Sequence, residues 1–98
     1  MDLQLKDKVI FVAGASRGIG LGIVEACLQE GAKVAMTARG AEALEEQRAR
    51  LAKQYGEDRV WARAGDMRET AVIEAALDDV EKDFGPVWGA VGYVLIFL

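Results

Sequence analysis

Lys8-Val9-Ile10-Phe11-Val12-Ala13-Gly14-Ala15-Ser16-Arg17-Gly18-Ile19-Gly20 is the stretch from which the rest of the chain can be read. Val9 to Ala13 are apolar without alternation, as a strand buried on both faces requires. Gly14 ends that run. From Ile19 to Glu30 the apolar positions Ile19, Ile23 and Cys27, with Val24 and Leu28 beside them, recur at helical spacing, and Gly31 is the stop signal. The glycines lie where strand passes into helix. They let the backbone turn sharply and let an anion approach with no Cβ in the way. The free N–H groups and positive dipole end of the helix face that anion, so a phosphate or pyrophosphate is the natural ligand.

The same alternation continues downstream. Lys33 to Ala38 reads as a second short buried strand. Ala41 to Tyr55 is built of strong helix formers, with Leu44, Leu51 and Tyr55 on one face and Gly56 closing it. Arg59 to Ala64 is a third strand, Thr70 to Phe84 a third helix with Ile73, Leu77, Val80 and Phe84 on one face, and Val87 onward a fourth strand. Strands alternating with helices predict a parallel sheet with right-handed crossovers. The expected class is therefore doubly wound α/β, with about four strands and three helices in a single domain. Residues 84–98 carry no charge, but they are too few to span a bilayer comfortably and read as a buried strand.

Composition narrows the chemistry. Of 98 residues, 52% are hydrophobic and 29% charged, a balance that fits one packed core and excludes a disordered chain. Twelve basic against sixteen acidic residues give a net charge of −4, which disfavours nucleic acid and anionic membrane as partners. There is no histidine and no asparagine, and Ser16, Pro86 and Cys27 are each single. Without histidine, Ser-His and Cys-His catalytic pairs are excluded, and a zinc site nearly so. Cys27 cannot form an internal disulfide and lies among apolar helix positions, where packing is its expected role. The charges from Glu42 to Lys53 read as a solvated helix face. Met1 to Lys6 lack a basic head followed by a long apolar run, so no export signal is expected, and the chain is read as cytoplasmic.

The loop fits neither common phosphate fingerprint. A Walker A loop needs Gly-Lys-Ser/Thr at its end, and none follows; G-x-G-x-x-G fails because position 23 is Ile23 and position 25 is Glu25. What stands is G-x-x-x-G-x-G in strand-turn-helix context. With its flanks Val12 and Ala13 it resembles the cofactor loop of the short-chain dehydrogenase/reductase family. Glu30-Gly31-Ala32-Lys33-Val34 is similar to that family's approach to strand two, Gly65-Asp66-Met67 to its adenine-contact segment, and Phe84-Gly85-Pro86-Val87 to its approach to strand four. The resemblance covers about residues 5–87 and implies a Rossmann-like fold. Residues 88–98 depart from the family pattern. Ala13 stands where the family has threonine, a departure expected to loosen the loop's hydrogen bonding.

The resemblance implies a dinucleotide site formed by Gly14, Ser16, Arg17, Gly18, Ile19 and Gly20. An NAD site uses a carboxylate at the end of the second strand to bind the ribose hydroxyls. Here that position reads Thr37-Ala38-Arg39-Gly40, and Arg39 with Arg17 could converge on a 2′-phosphate, so NADP(H) is favoured over NAD(H). The alternative is that both arginines are merely solvated. By resemblance Asp66 accepts from the adenine amino group and Met67 backs the ring; the competing reading makes Asp66 an acid stabilised by the dipole of the helix that follows.

The resemblance also implies an asparagine-containing segment, a second serine and a Tyr-x-x-x-Lys pair. Neither Tyr55 nor Tyr93 has lysine four residues on, and no asparagine is present. The chain is expected to be an incomplete domain, cut before its catalytic residues, so no catalytic residue is assigned. Two functions follow as expectations: the cofactor-binding amino half of an NADP(H)-dependent oxidoreductase, or a non-catalytic nucleotide-binding or interaction module. Either leaves an incomplete sheet edge, where self-association is expected.

Overall fold

The runs of Val, Ile, Phe and Met form the strands, and the helices fall between them. The computed structural model describes residues 4–92 and the backbone of 96–97. In chain order these are β1 (Val9–Ala13), α1 (Gly18–Gln29), β2 (Lys33–Ala38), α2 (Ala41–Tyr55), a 3-10 turn (Glu57–Arg59), β3 (Val60–Ala64), α3 (Thr70–Asp83), β4 (Val87–Val91) and β5 (Ile96–Phe97). One sheet has the order β3-β2-β1-β4-β5. The first four strands are parallel, with Val9 opposite Lys33 and Val34 opposite Val60.

This order explains why β1 is apolar throughout. From β1 the chain steps outward to β2 and β3, then returns past β1 to β4, so right-handed crossovers put α1 and α2 on one face and α3 on the other. Alternate residues of β1 serve the two faces. Ile10 and Val12, with Val34 and Met36 of β2, pack against Val24 and Leu28 of α1 and Leu44 and Leu51 of α2. Val9, Phe11 and Ala13, with Ala35, meet Met67 and the α3 residues Ala76 and Val80. All five β1 residues are buried, as the unbroken run predicts. Cys27 is half-buried against the first of these cores, and burial pushes its thiol pKa up, consistent with packing.

Several expectations need correction. Ile19, placed on the apolar face of α1 by its spacing, is 85% exposed because it begins the helix beside the glycine turn, beyond the reach of the sheet. The terminal apolar stretch is not one buried strand. β4 buries only Gly89 among its five residues, and β5 returns antiparallel to it, pairing Ala90 with Phe97. Residues 93–95 and 98, on which part of that expectation falls, lie outside the described residues. The pairing of β4 with β1 also slips: Val9 faces Val87 but Ile10 faces Gly89, leaving Trp88 as the extra residue of a bulge. Trp88 is therefore 41% exposed, with the Lys8 ammonium 5.9 Å from its ring centre.

The charged face of α2 is solvated yet paired. Arg48 contacts Glu45 at 2.6 Å and Glu57 at 3.0 Å, and Arg50 reaches Glu25 of α1 at 2.8 Å. Exposed pairs of this kind contribute little individually. The amino ends of the strands are tied by Arg59, which donates to the Gly31 carbonyl at 2.9 Å and pairs with Asp7 at 2.8 Å.

Candidate functional site

The glycine turn is built from conformations that side chains would obstruct. Gly14 and Gly18 have φ of 69° and 60°, in the left-handed region. At Gly20 the requirement is space: a Cβ would lie 2.0 Å from the Gly14 carbonyl oxygen, so the first turn of α1 rests directly on the loop backbone. Nothing lies within 4 Å of where a Gly18 Cβ would be, so the loop's outer side is open. The N-cap residue, Arg17, is extended and makes no side-chain cap, and the first turn of α1 holds no acid. A phosphate fits such a cradle, because the helix N-terminus offers donors and partial positive charge without an internal anion competing for them.

Neighbouring β2 holds the turn in place. The Ala15 amide donates to the Thr37 carbonyl at 2.9 Å, and the buried Thr37 hydroxyl donates to the Val12 carbonyl at 3.2 Å. With alanine at position 13, the hydroxyl that ties this loop comes from the adjacent strand. Sequence reasoning passed over Thr37, although its position beside Arg39 marks it as the sole polar residue in an otherwise apolar strand interior.

A depression of about 760 Å³ opens at the carboxyl ends of β1 and β2. It is lined by Gly14, Ser16, Arg17, Gly18, Ile19 and Gly20 from the loop, and by Ala38, Arg39, Gly40 and Ala43 from the end of β2 and the start of α2. Seven of the nine residues expected to bind cofactor thus share one cavity. Its lining holds two arginines and no acid. Ala38, Gly40 and Ala43 were not singled out from the sequence; they are small residues whose value is the room they leave, which no motif records.

Asp66 and Met67 are not among the lining residues. Met67 is 5% exposed and packs with Phe11, Ala76 and Val80. The Asp66 carboxylate is engaged by Arg68: Oδ1 accepts from the Arg68 amide at 3.0 Å and from Nε at 2.9 Å, while Oδ2 accepts from Nη2 at 2.9 Å. Asp66 precedes the α3 N-cap, Glu69, by three residues, so its partner is this guanidinium rather than the helix end. The Arg68 side-chain bonds first, then its backbone N–H, hold the Asp66 carboxyl down at about 2 from the ordinary 3.8, and the Arg39 charge adds to the effect. Because the pKa is lowered in the folded chain, the pair stabilises the fold above about pH 3.8 and ceases to do so as pH falls through about 2. A carbon-13 titration of the Asp66 carboxyl should give a midpoint near 2 that returns toward 3.8 in Arg68→Ala; an unchanged midpoint would remove Arg68 as the cause.

Known proteins resemble this arrangement over most of the chain. The short chain dehydrogenase family model matches residues 8–92. The chain is 40% identical over 91 residues to D-threitol dehydrogenase of Mycolicibacterium smegmatis, covering 88% of this chain and 32% of that protein. It is 29% identical over 87 residues to 3alpha-hydroxysteroid dehydrogenase of Mediterraneibacter gnavus, covering 89% and 35%. Among solved structures, L-sorbose reductase of Gluconobacter frateurii, complexed with NADPH and L-sorbose, superimposes with a TM-score of 0.81 at 33% identity, covering 89% of this chain and 33% of that one. The chain spans about a third of the length of these relatives. Among the described residues no helix is long and apolar enough to cross a membrane. The glycine turn, the strand order and the match over residues 8–92 agree: the chain belongs to the short chain dehydrogenase family.

Proposed function

We propose that the chain is the NADP(H)-binding amino portion of a cytoplasmic oxidoreductase, an incomplete dinucleotide-binding domain whose parent activity moves hydride between nicotinamide and a carbonyl or alcohol. The observation that carries the choice of cofactor is the cavity lining, where Arg17 and Arg39 face the same space as the glycine loop and no carboxylate does. A carboxylate at the end of β2 would bind the ribose hydroxyls of NAD and repel a 2′-phosphate; a guanidinium there does the reverse, bonding phosphate bidentately. The NADPH-complexed L-sorbose reductase supports the same reading.

The roles divide by chemistry. Gly14, Gly18 and Gly20 shape the loop around the pyrophosphate, with Ser16 and the first amides of α1 as donors. Ile19 supplies an exposed apolar contact. Arg39 and Arg17 take the 2′-phosphate. Asp66 accepts from the adenine amino group through Oδ2, which takes only one bond from Arg68, and Met67 supports the segment from the core. The bound cofactor supplies the hydride. The chain's 98 residues include no Tyr-x-x-x-Lys pair and only Ser16 as serine, so alone it binds cofactor without turning over substrate.

Titration of Arg39→Ala with NADPH and NADH tests the reading. Loss of a charge-assisted phosphate contact should weaken NADPH by roughly tenfold or more while leaving NADH nearly unchanged. An equal loss for both cofactors, or none, would place the 2′-phosphate elsewhere.

A further inference from the structure

Arg39 and Asp66 leave adjacent strand ends side by side. Ala38 of β2 is opposite Ala64 of β3, and the Gly65 amide donates to the Ala38 carbonyl at 2.9 Å; the residues that follow Ala38 and Gly65 are Arg39 and Asp66. A cation and an anion so placed would ordinarily pair, and a guanidinium occupied by a carboxylate is a poorer phosphate receptor. The structure has a different pairing. Both Asp66 oxygens are taken by the Arg68 guanidinium at 2.9 Å, and the Arg68 amide adds a third bond at 3.0 Å. The Arg39 charge helps to hold the Asp66 carboxyl down, but the ion pair of Asp66 is with Arg68.

Resting on the NADP(H) reading above, we infer that Arg68 is a positioning residue for cofactor choice: it clamps the Asp66 carboxylate and so keeps the neighbouring Arg39 guanidinium available for a 2′-phosphate. Arg68 itself does not line the cavity. Its influence runs through Asp66, which distinguishes it from Arg17 and Arg39. In Arg68→Gln the carboxylate loses its fork-shaped partner and turns to Arg39, the other cation whose charge acts on it. The 2′-phosphate then has to displace a carboxylate, whereas the 2′-hydroxyl of NADH meets no such competitor.

The ratio of NADH to NADPH dissociation constants reads this directly, since losses in adenine or pyrophosphate contacts cancel between the two cofactors. It is measured by nicotinamide fluorescence for the 98-residue chain, for Arg68→Gln and Asp66→Asn, and for the two combined, with folding checked by circular dichroism. Arg68→Gln should lower the ratio roughly five- to tenfold, less than outright loss of a charge-assisted contact because the phosphate still competes for Arg39. In the Asp66→Asn background, where no carboxylate competes, Arg68→Gln should leave the ratio unchanged. Arg68→Lys, which keeps the charge but not the fork, should fall between, and carries the comparison if Arg68→Gln fails to fold. An unchanged ratio in Arg68→Gln or Arg68→Lys overturns the inference. So does a loss that persists in the Asp66→Asn background, which would mean that Arg68 meets the phosphate itself. A wild-type chain that binds both cofactors equally overturns instead the NADP(H) reading on which the inference stands.

Discussion

Gly20→Ala is expected to lose about 2–3 kcal/mol of stability and most of the cofactor affinity, because its new methyl collides with backbone rather than with a movable side chain. The added Cβ would stand 2.0 Å from the Gly14 oxygen and 2.8 Å from the Gly14 carbonyl carbon. Either α1 slides away from the loop or the loop leaves its left-handed turn, and both shift the amides that face the cavity. Gly22→Ala is the control. It lies two residues further along the same helix, on nearly the opposite side, with nothing within 4 Å of the added atom, and should gain about 0.5–1 kcal/mol from helix propensity alone. Urea unfolding of the two variants, with cofactor titration of each, separates close approach from mere helical preference. Similar stabilities and affinities for both would contradict the packing of α1 on the loop.

Phe11→Ala has the largest expected effect on stability, about 3–5 kcal/mol. Phe11 is 2% exposed in the middle of the central strand, facing α3, where Met67, Ala76 and Val80 close around it. A domain of this size has about 5–15 kcal/mol in total, so the variant should lose a large share of its stability. Ile19→Ala removes a side chain that is 85% exposed and should change stability by no more than about 0.5 kcal/mol. A Phe11→Ala midpoint in urea within error of wild type would mean that α3 does not pack on this face.

The contrast between Phe11 and Ile19 marks what the sequence can convey. An unbroken apolar run is legible as a doubly covered strand, since no one-sided surface would retain Val9 to Ala13. The glycine stops after β1, α1 and α2 are legible for a similar reason: each ends a periodic pattern at a residue with special backbone freedom. Helical spacing says which residues share a side but not how far the sheet extends beneath them. Ile19 therefore shares the spacing of the buried helix positions although it lies past the sheet's end, and Ala76, small enough to go unremarked, is fully buried on α3. The bulge at Trp88 and the antiparallel return of β5 depend on pairing between strands, which composition does not encode.

The site divides along the same line. Its loop was readable because glycine spacing reflects local backbone geometry. The convergence of Arg39 with Arg17 was readable from the order of the elements, since a doubly wound sheet brings the ends of β1 and β2 together. Thr37 and Arg68 were not. Thr37 acts through bonds to Val12 and Ala15 on a neighbouring segment, and Arg68 acts through a carboxylate two residues before it, whose importance appears only once Ala38 and Ala64 are seen in register.

The most direct test of the account is a nitrogen-15 amide titration of the 98-residue chain with NADPH. Saturable shifts should concentrate in Gly14–Gly20 and in residues 38–43, the two segments that line the cavity, with smaller ones around Asp66. A folded chain whose amides do not move, or whose shifts cluster away from the carboxyl ends of β1 and β2, would contradict it.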